Sequence, residues 1–241
     1  MPSHAISLTT LLMNSQQFKS GRVAAGLTQV AAAERLGVSQ AYLSQLEKGR
    51  RPVTQELARL ATRVYGLSPV ALPLPEESTD FKDVDGSRLA RQLSGLGYPG
   101  FEYLRGERVN PALLMYQFLV HDNLEVRLTE ALPWVLATYP DADWSWLVDQ
   151  VKLKDVQNRL GFVVGLAQQF ATSREEFQSV LQPLEEVEAK LERARLVRED
   201  TLCRESMPAV ERRWLASNRS PLAQHWNLLS GLTVDQLPYA N

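Results

Sequence analysis

An all-α fold in two parts is what this sequence predicts: a small N-terminal domain of four to five short helices, then a larger helical domain. Three observations predict it. Apolar residues recur at three- and four-residue spacings, and no convincing alternating strand interrupts them. Glycines and capping residues cut the first 66 residues into short helical pieces. Three prolines in LSPVALPLPEESTDFKDVDGS, residues 67–87, then block any helix from running through.

Residues 15–66 read as consecutive short helices. Within LTQVAAAERLGVSQAYLSQLEKGRRP, residues 27–52, Thr28 can cap one helix and Gly37 can end it in a left-handed conformation. Ser39 can cap the next, and Gly49 can end that one. Ala33, Leu36, Val38, Leu43 and Leu46 form the inward face, and the small Ala33 lets the two helices cross closely. Thr54 starts a further helix with Leu57, Leu60, Ala61 and Val64 inward, and Gly66 ends it.

The acids and serines that follow Pro69, Pro73 and Pro75 suit an exposed linker. The domains are therefore set at 1–66 and 88–241, with a Pro-rich acidic linker over 67–87. Beyond it, Leu124, Leu128, Ala131, Leu132, Val135 and Leu136 share one helical face, as do Val156, Leu160, Val163, Val164, Ala167 and Phe170. Ser173 and Glu176 have the spacing of a capping box. A stripe of Phe177, Val180, Leu184, Val187, Leu191 and Ala194 follows, on a helix expected over 174–200 and about 40 Å long. Pro183 should kink or divide it. That stripe is read first as a core face and otherwise as an assembly surface. Ser220 and Pro221 open a last helix carrying Leu222, Trp226 and Leu229, closed by Gly231.

Charge separates the two parts. The first 66 residues hold eight Lys and Arg against three Glu, a net of +5, which leaves −7 for the rest of a chain whose formal net charge is −2. The basic part suits a polyanion and the acidic part does not. No run of about 18 apolar residues exists, and the N-terminus has no basic region leading into an apolar stretch. Neither a membrane span nor a secretory leader is expected. A single cysteine, Cys203, excludes an internal disulfide framework. A cytoplasmic, nucleoid-associated location is expected.

If the second helix of the pair enters a major groove, its leading residues are Ser39, Gln40, Ala41, Ser44 and Gln45, with Tyr42 beside them. A glutamine can bond adenine bidentately, and an alanine methyl can touch a thymine methyl. Gln29 opens the preceding helix, where an amide and free backbone N–H groups can hold a phosphate. Lys48, Arg50 and Arg51 follow the second helix and can neutralise the DNA backbone beside it. Arg59 and Arg63 read as a solvated helix face. The alternative, that the stretch is a purely structural helical bundle with surface charge, does not account jointly for the caps, glutamines and basic tail.

These residues resemble the lambda-repressor-like, or XRE-type, helix-turn-helix domain over about residues 15–66: LTQ, A, LGVS and YLSQLEKGRRP carry the likeness. The resemblance implies a double-stranded DNA partner. It also implies a partly buried ion pair between Arg22 and Glu47, so that Arg22 would not touch DNA. Ala32 departs from the pattern, since a larger aliphatic is common there. The region from LGYPGFEYLRG through REDTLCRES to SPLAQHWNLL resembles helix-turn-helix proteins paired with nucleotidyltransferase-type toxins. That likeness implies that residues 88–241 bind a toxin protein.

The larger part shows no catalytic constellation. His4, His121 and His225 are isolated and lack metal-ligand spacing with Cys203 or a carboxylate. Neither catalytic residues nor a metal or other cofactor is expected, and Cys203 reads as inert. In YPDADWSWLVDQ, residues 139–150, Asp141 and Asp143 with Trp144 and Trp146 read as a turn capping a core helix before a cation or partner site. Trp214, Trp226 and Tyr239 pack the bundle or meet a partner. The expected function is a repressor acting as a homodimer on a palindromic operator, since one helix-turn-helix reads only a half-site. An autoregulating antitoxin is one form of it. A regulator whose helical domain senses a small molecule is the alternative.

Overall fold

The computed structural model describes residues 13–75 and 84–239, which fall into two compact units. Residues 13–75 together with 108–110 form the first, and 84–107 with 111–239 the second. Both are helical, and among the described residues the sheet content is one pair of two-residue strands.

The first unit holds α1 (Ser15–Ala24), α2 (Gln29–Leu36), α3 (Gln40–Glu47) and α4 (Gln55–Val64). Each begins where a side-chain oxygen takes an otherwise unpaired backbone N–H: Asn14 for α1, Thr28 for α2, Ser39 for α3 and Thr54 for α4. The tight turn between α2 and α3 needs the positive φ of 65° at Gly37, which a residue with a Cβ adopts reluctantly. The core is Phe18, Ala32, Ala33, Leu36, Leu43, Leu46, Leu57, Ala58, Ala61 and Tyr65, with Val38, Leu60 and Val64 half-buried around it. Ala32 is fully buried there, so its small volume serves close packing of α2.

The proline-rich stretch is not exposed along its length. Pro69–Ala71 make a 3-10 turn, and Leu72 and Leu74 are buried. Asn110 Nδ2 donates to Val70 O (3.0 Å) and Leu72 O (2.6 Å), and Arg108 Nη1 donates to Thr62 O and Leu67 O. Residues some 40 positions downstream thus satisfy the carbonyls of this segment, a pairing that composition does not reveal. The acidic residues 76–83 of the expected linker lie outside the described residues, as does His4.

The second unit runs α5 (Gly86–Gly95), α6 (Pro111–Leu119), α7 (Val126–Thr129), α8 (Leu132–Thr138), α9 (Trp144–Leu153), α10 (Gln157–Thr172) and α11 (Leu181–Glu192). Then come β1 (Asp200–Thr201), α12 (Ala209–Asn218), α13 (Pro221–His225) and β2 (Leu228–Leu229). α10 is the central element, buried from Gln157 to Ala167 on every face. At Gly161 an added Cβ would lie 2.5 Å from the Trp226 ring, so the glycine lets that fully buried indole sit against α10.

Four sequence expectations change here. The face from Leu124 to Leu136 is divided between α7 and α8 rather than carried by one helix, with Pro133 in the first turn of α8. Ser173 does not open a capping box: its hydroxyl donates to Phe170 O and it ends α10, while a 3-10 helix runs over Glu175–Val180. The helix expected over 174–200 is therefore α11 alone, with Pro183 in its first turn, where a missing N–H is harmless. Val180, Leu184, Val187 and Leu191 are buried within their own unit, so the stripe is a core face and not an assembly seam. Finally, the last helix stops at His225. Asn227 turns left-handed (φ 52°), and Leu228–Leu229 pair in parallel with Asp200–Thr201.

Candidate nucleic-acid interface

α3 owes its start to Ser39, whose Oγ accepts from Tyr42 N at 3.1 Å. It ends because Gly49 takes φ 69°, which lets Arg50 N reach Gln45 O (2.9 Å) and Gly49 N reach Leu46 O (3.0 Å). Leu43, Leu46 and Glu47 face inward. Gln40 and Ala41 are exposed, Tyr42, Ser44 and Gln45 are half-buried, and Lys48, Arg50 and Arg51 stand exposed just past the helix. Arg59 and Arg63 are exposed on α4.

Behind this face Arg22 and Glu47 form a buried, bidentate ion pair, Nε to Oε1 at 2.5 Å and Nη2 to Oε2 at 3.1 Å. Arg22 Nη1 also donates to Leu27 O at 2.6 Å. The hydrogen bond to Glu47 raises the already high pKa of Arg22. Burial pushes the Glu47 carboxyl upward, but hydrogen bonds from Arg22 and Gln29, with the Arg22 charge, hold it below the usual carboxylate range. Both groups are charged, and Arg22 is turned away from any DNA surface by its partners.

The pair orients the residues in front of it. Glu47 Oε2 also accepts from Gln29 Nε2 (2.8 Å), and Gln29 Oε1 accepts from Gln40 Nε2 (3.0 Å). A carboxylate only accepts, so Gln29 must turn its NH2 inward and its oxygen toward Gln40. Gln40 must answer with its own NH2. That leaves one N–H and its oxygen facing outward, a donor–acceptor pair of the kind that matches adenine N7 and N6. Gln40→Ala is therefore expected to lose about 1–3 kcal/mol of discrimination at one base pair of the operator. Competition binding with single-base operator variants measures it, and an equal loss on random DNA would remove Gln40 from the readout.

Gln29 has both ends of its amide engaged with protein, so it acts chiefly as the link between Glu47 and Gln40. The sequence predicts a phosphate contact through its amide and the first N–H groups of α2; the amide is engaged with protein, and of those N–H groups that of Ala31 is taken by the Thr28 hydroxyl. A second coupling went unread. Arg51 Nε donates to Gln45 Oε1 at 2.9 Å, and its guanidinium lies 5.7 Å from the centre of the Tyr42 ring. The signal for it was the six-residue separation across Gly49, which folds residue 51 back toward the last turn of α3.

In the second unit Asp143 caps α9 by accepting from Trp146 N, and Trp144 is buried. Cys203 is fully buried; burial pushes its thiol up to about 11, and Sγ donates to Phe118 O. His225 meets Glu192 at 2.8 Å, and His121 Nδ1 accepts from Asn123 N. No group of three or more His, Cys, Asp or Glu among the described residues is placed to hold a metal ion, and no helix there is long and apolar enough to cross a membrane.

A family model described as a helix-turn-helix domain matches residues 15–74. The uncharacterized HTH-type transcriptional regulator y4dJ of Sinorhizobium fredii (strain NBRC 101917 / NGR234) is 47% identical over 57 residues, which span 23% of this chain and 73% of that protein. No solved structure matches the chain.

Proposed function

Since the chain belongs, through its N-terminal unit, to the HTH-type transcriptional regulators that bind double-stranded DNA, we infer that it is a sequence-specific repressor acting as a homodimer on a palindromic operator. α3 enters the major groove with Gln40, Ala41, Ser44 and Gln45 toward the bases. Ser39 and Tyr42 stand at its edges, and Lys48, Arg50 and Arg51 lie against the phosphates. The observation that carries this reading is the polar chain from buried Arg22–Glu47 through Gln29 to exposed Gln40, which preorganises a reading amide. One such unit covers one half-site, so two copies about 34 Å apart give operator specificity.

Replacing Arg50 and Arg51 together by Ala tests it. The slope of log affinity against log salt is expected to flatten by about 0.9 for each phosphate contact removed. A slope equal to that of the wild type would take both arginines off the DNA backbone.

We place the chain in the cytoplasm and extend the reading to an antitoxin, in which residues 88–241 bind a nucleotidyltransferase-type toxin. The likeness of residues 96–106, 198–206 and 220–229 to such proteins supports it. So does α12, which buries only Leu215 and leaves Val210 and Trp214 exposed. Co-expression should then restore growth in cells making the toxin, and no rescue would remove the role. A ligand sensor is the second reading. It is supported by a cavity of about 290 Å³ bordered by Val126, Leu202, Met207, Trp214, Leu215 and Leu229.

A further inference from the structure

Met207, Leu215 and Leu229 form a small core of their own in the second unit, and that core is incompletely covered. All three border the cavity of about 290 Å³, a volume at the small end of ligand cavities. On the same border Trp214 is 60% exposed and Val126 56% exposed. Such apolar surface is stabilised by being covered. The polar groups on the rim decide what covers it.

The charged residues that border the cavity are Glu130, Arg204 and Glu211. Arg204 and Glu211 answer each other, with Nη1 donating to Oε1 and Nη2 to Oε2. The half-buried Glu130 carboxylate has no hydrogen bond or ion pair among the described residues, so one negative charge on the rim stays unanswered. Arg127, three residues earlier, is turned elsewhere. Its Nη2 donates to Gly100 O at 2.7 Å, and its guanidinium lies 4.9 Å from the centre of the Phe101 ring.

Two hydroxyls on the border can take further donors. Thr129 Oγ1 gives its proton to Val126 O, and Ser230 Oγ accepts from Leu232 N, so each retains a lone pair. No lysine or arginine among the described residues lies over the Trp214 ring, which leaves the indole to an outside cation. A neutral apolar molecule in this cavity would strip water from Glu130 and return nothing. An anion would add repulsion. A cation offsets the lost water with a charge-assisted hydrogen bond.

We propose that this cavity binds a small organic cation, a primary ammonium on an aromatic or branched apolar body. The ammonium meets the Glu130 carboxylate, and the body covers Met207, Leu215 and Leu229 beside Trp214. This names the ligand class of the sensing function given above as the second reading, and it rests on that reading.

The experiment is calorimetric titration of the full chain with phenethylamine, phenethyl alcohol and hydrocinnamate, a cation, a neutral molecule and an anion on the same ring. The amine should bind about tenfold more tightly than the other two. Glu130→Gln should weaken the amine about tenfold and leave the alcohol unchanged. Trp214→Leu should cost the amine about threefold more than it costs the alcohol. Equal affinity for all three probes would leave a hollow of the kind a protein partner covers, and overturns the proposal. So does an amine that binds Glu130→Gln as tightly as the wild type, or no binding of any probe up to about 10 mM. Sensing is read separately, as the change in affinity for a duplex that the protein selects from a randomised library. Selective amine binding with unchanged DNA affinity would refute sensing and keep the site, whereas lost selectivity removes the cation and leaves sensing to another ligand.

Discussion

Arg22→Ala is expected to destabilise the N-terminal unit by about 3–5 kcal/mol, because it strands the Glu47 carboxylate in a buried site. Glu47 would keep one hydrogen bond, from Gln29, and Leu27 O would lose its donor. The pH dependence should change with it. Glu47 is held below its ordinary range in the folded protein, so its contribution is present in full above the unfolded carboxyl value of about 4.3 and fades as acid protonates the folded group. Arg22→Ala removes that acid-sensitive contribution.

The placement of tryptophan makes the measurement selective. Trp134, Trp144, Trp146, Trp214 and Trp226 are the five tryptophans of the chain, and all lie in the larger unit. In urea unfolding of the full chain, Arg22→Ala should bring forward part of the far-UV circular dichroism loss and leave the fluorescence transition in place. The two probes moving together would refute independent action on the first unit. Replacing both partners, Arg22→Met with Glu47→Leu, should recover most or all of the stability. It should not recover base preference, because Gln29 loses the carboxylate that turns its amide.

Arg159→Met is expected to have a loss of similar size, about 3–5 kcal/mol, in the larger unit. The Arg159 side chain is almost wholly buried. Its Nε and Nη2 bond both oxygens of Asp200 (2.8 and 2.9 Å), Nη1 bonds Leu119 O and His121 O, and Nη2 also reaches Glu205. Burial opposes the charge on Arg159, but the Asp200 hydrogen bond and the surrounding carboxylates outweigh it and raise the pKa. Methionine fills much of the volume and supplies no donor, leaving Asp200 with only the Thr201 N–H and depriving the Leu119 and His121 carbonyls of the guanidinium. Asp200 begins β1, so its pairing with Leu228 should loosen, and with it the packing of Trp226.

Fluorescence unfolding should report this loss. Cys203, fully buried and two residues past β1, should become open to thiol labelling in folded Arg159→Met protein. A midpoint within about 0.5 kcal/mol of the wild type would show that water replaces the guanidinium at little cost.

Most of the first unit was legible because its signals are local. A capping oxygen acts on an N–H two or three residues away, and a left-handed glycine acts on the helix it ends. Thr28, Gly37, Ser39, Gly49, Thr54 and Gly66 therefore mark boundaries that the structure shows. In the second unit the apolar periodicities located buried faces but not where helices stop. Ser173 and Glu176 carry a capping-box spacing, yet Ser173 closes the preceding helix, since α10 is held to Thr172 by its burial. Leu228–Leu229 read as helix and became a strand because Asp200, anchored by Arg159, offered a parallel edge.

Read alone, the chain determined an all-helical class, the division of a basic from an acidic part, and the helix whose outward residues suit a DNA groove. Those properties come from spacing, caps and charge, which act over a few residues or sum over many. Only the tertiary structure decided how polar side chains pair: Gln29 between Glu47 and Gln40, Arg51 on Gln45, Asn110 on the proline-rich segment, Arg159 on Asp200. Each hydrogen bond needs two groups within about 3 Å, and closeness between distant residues is set by how helices pack.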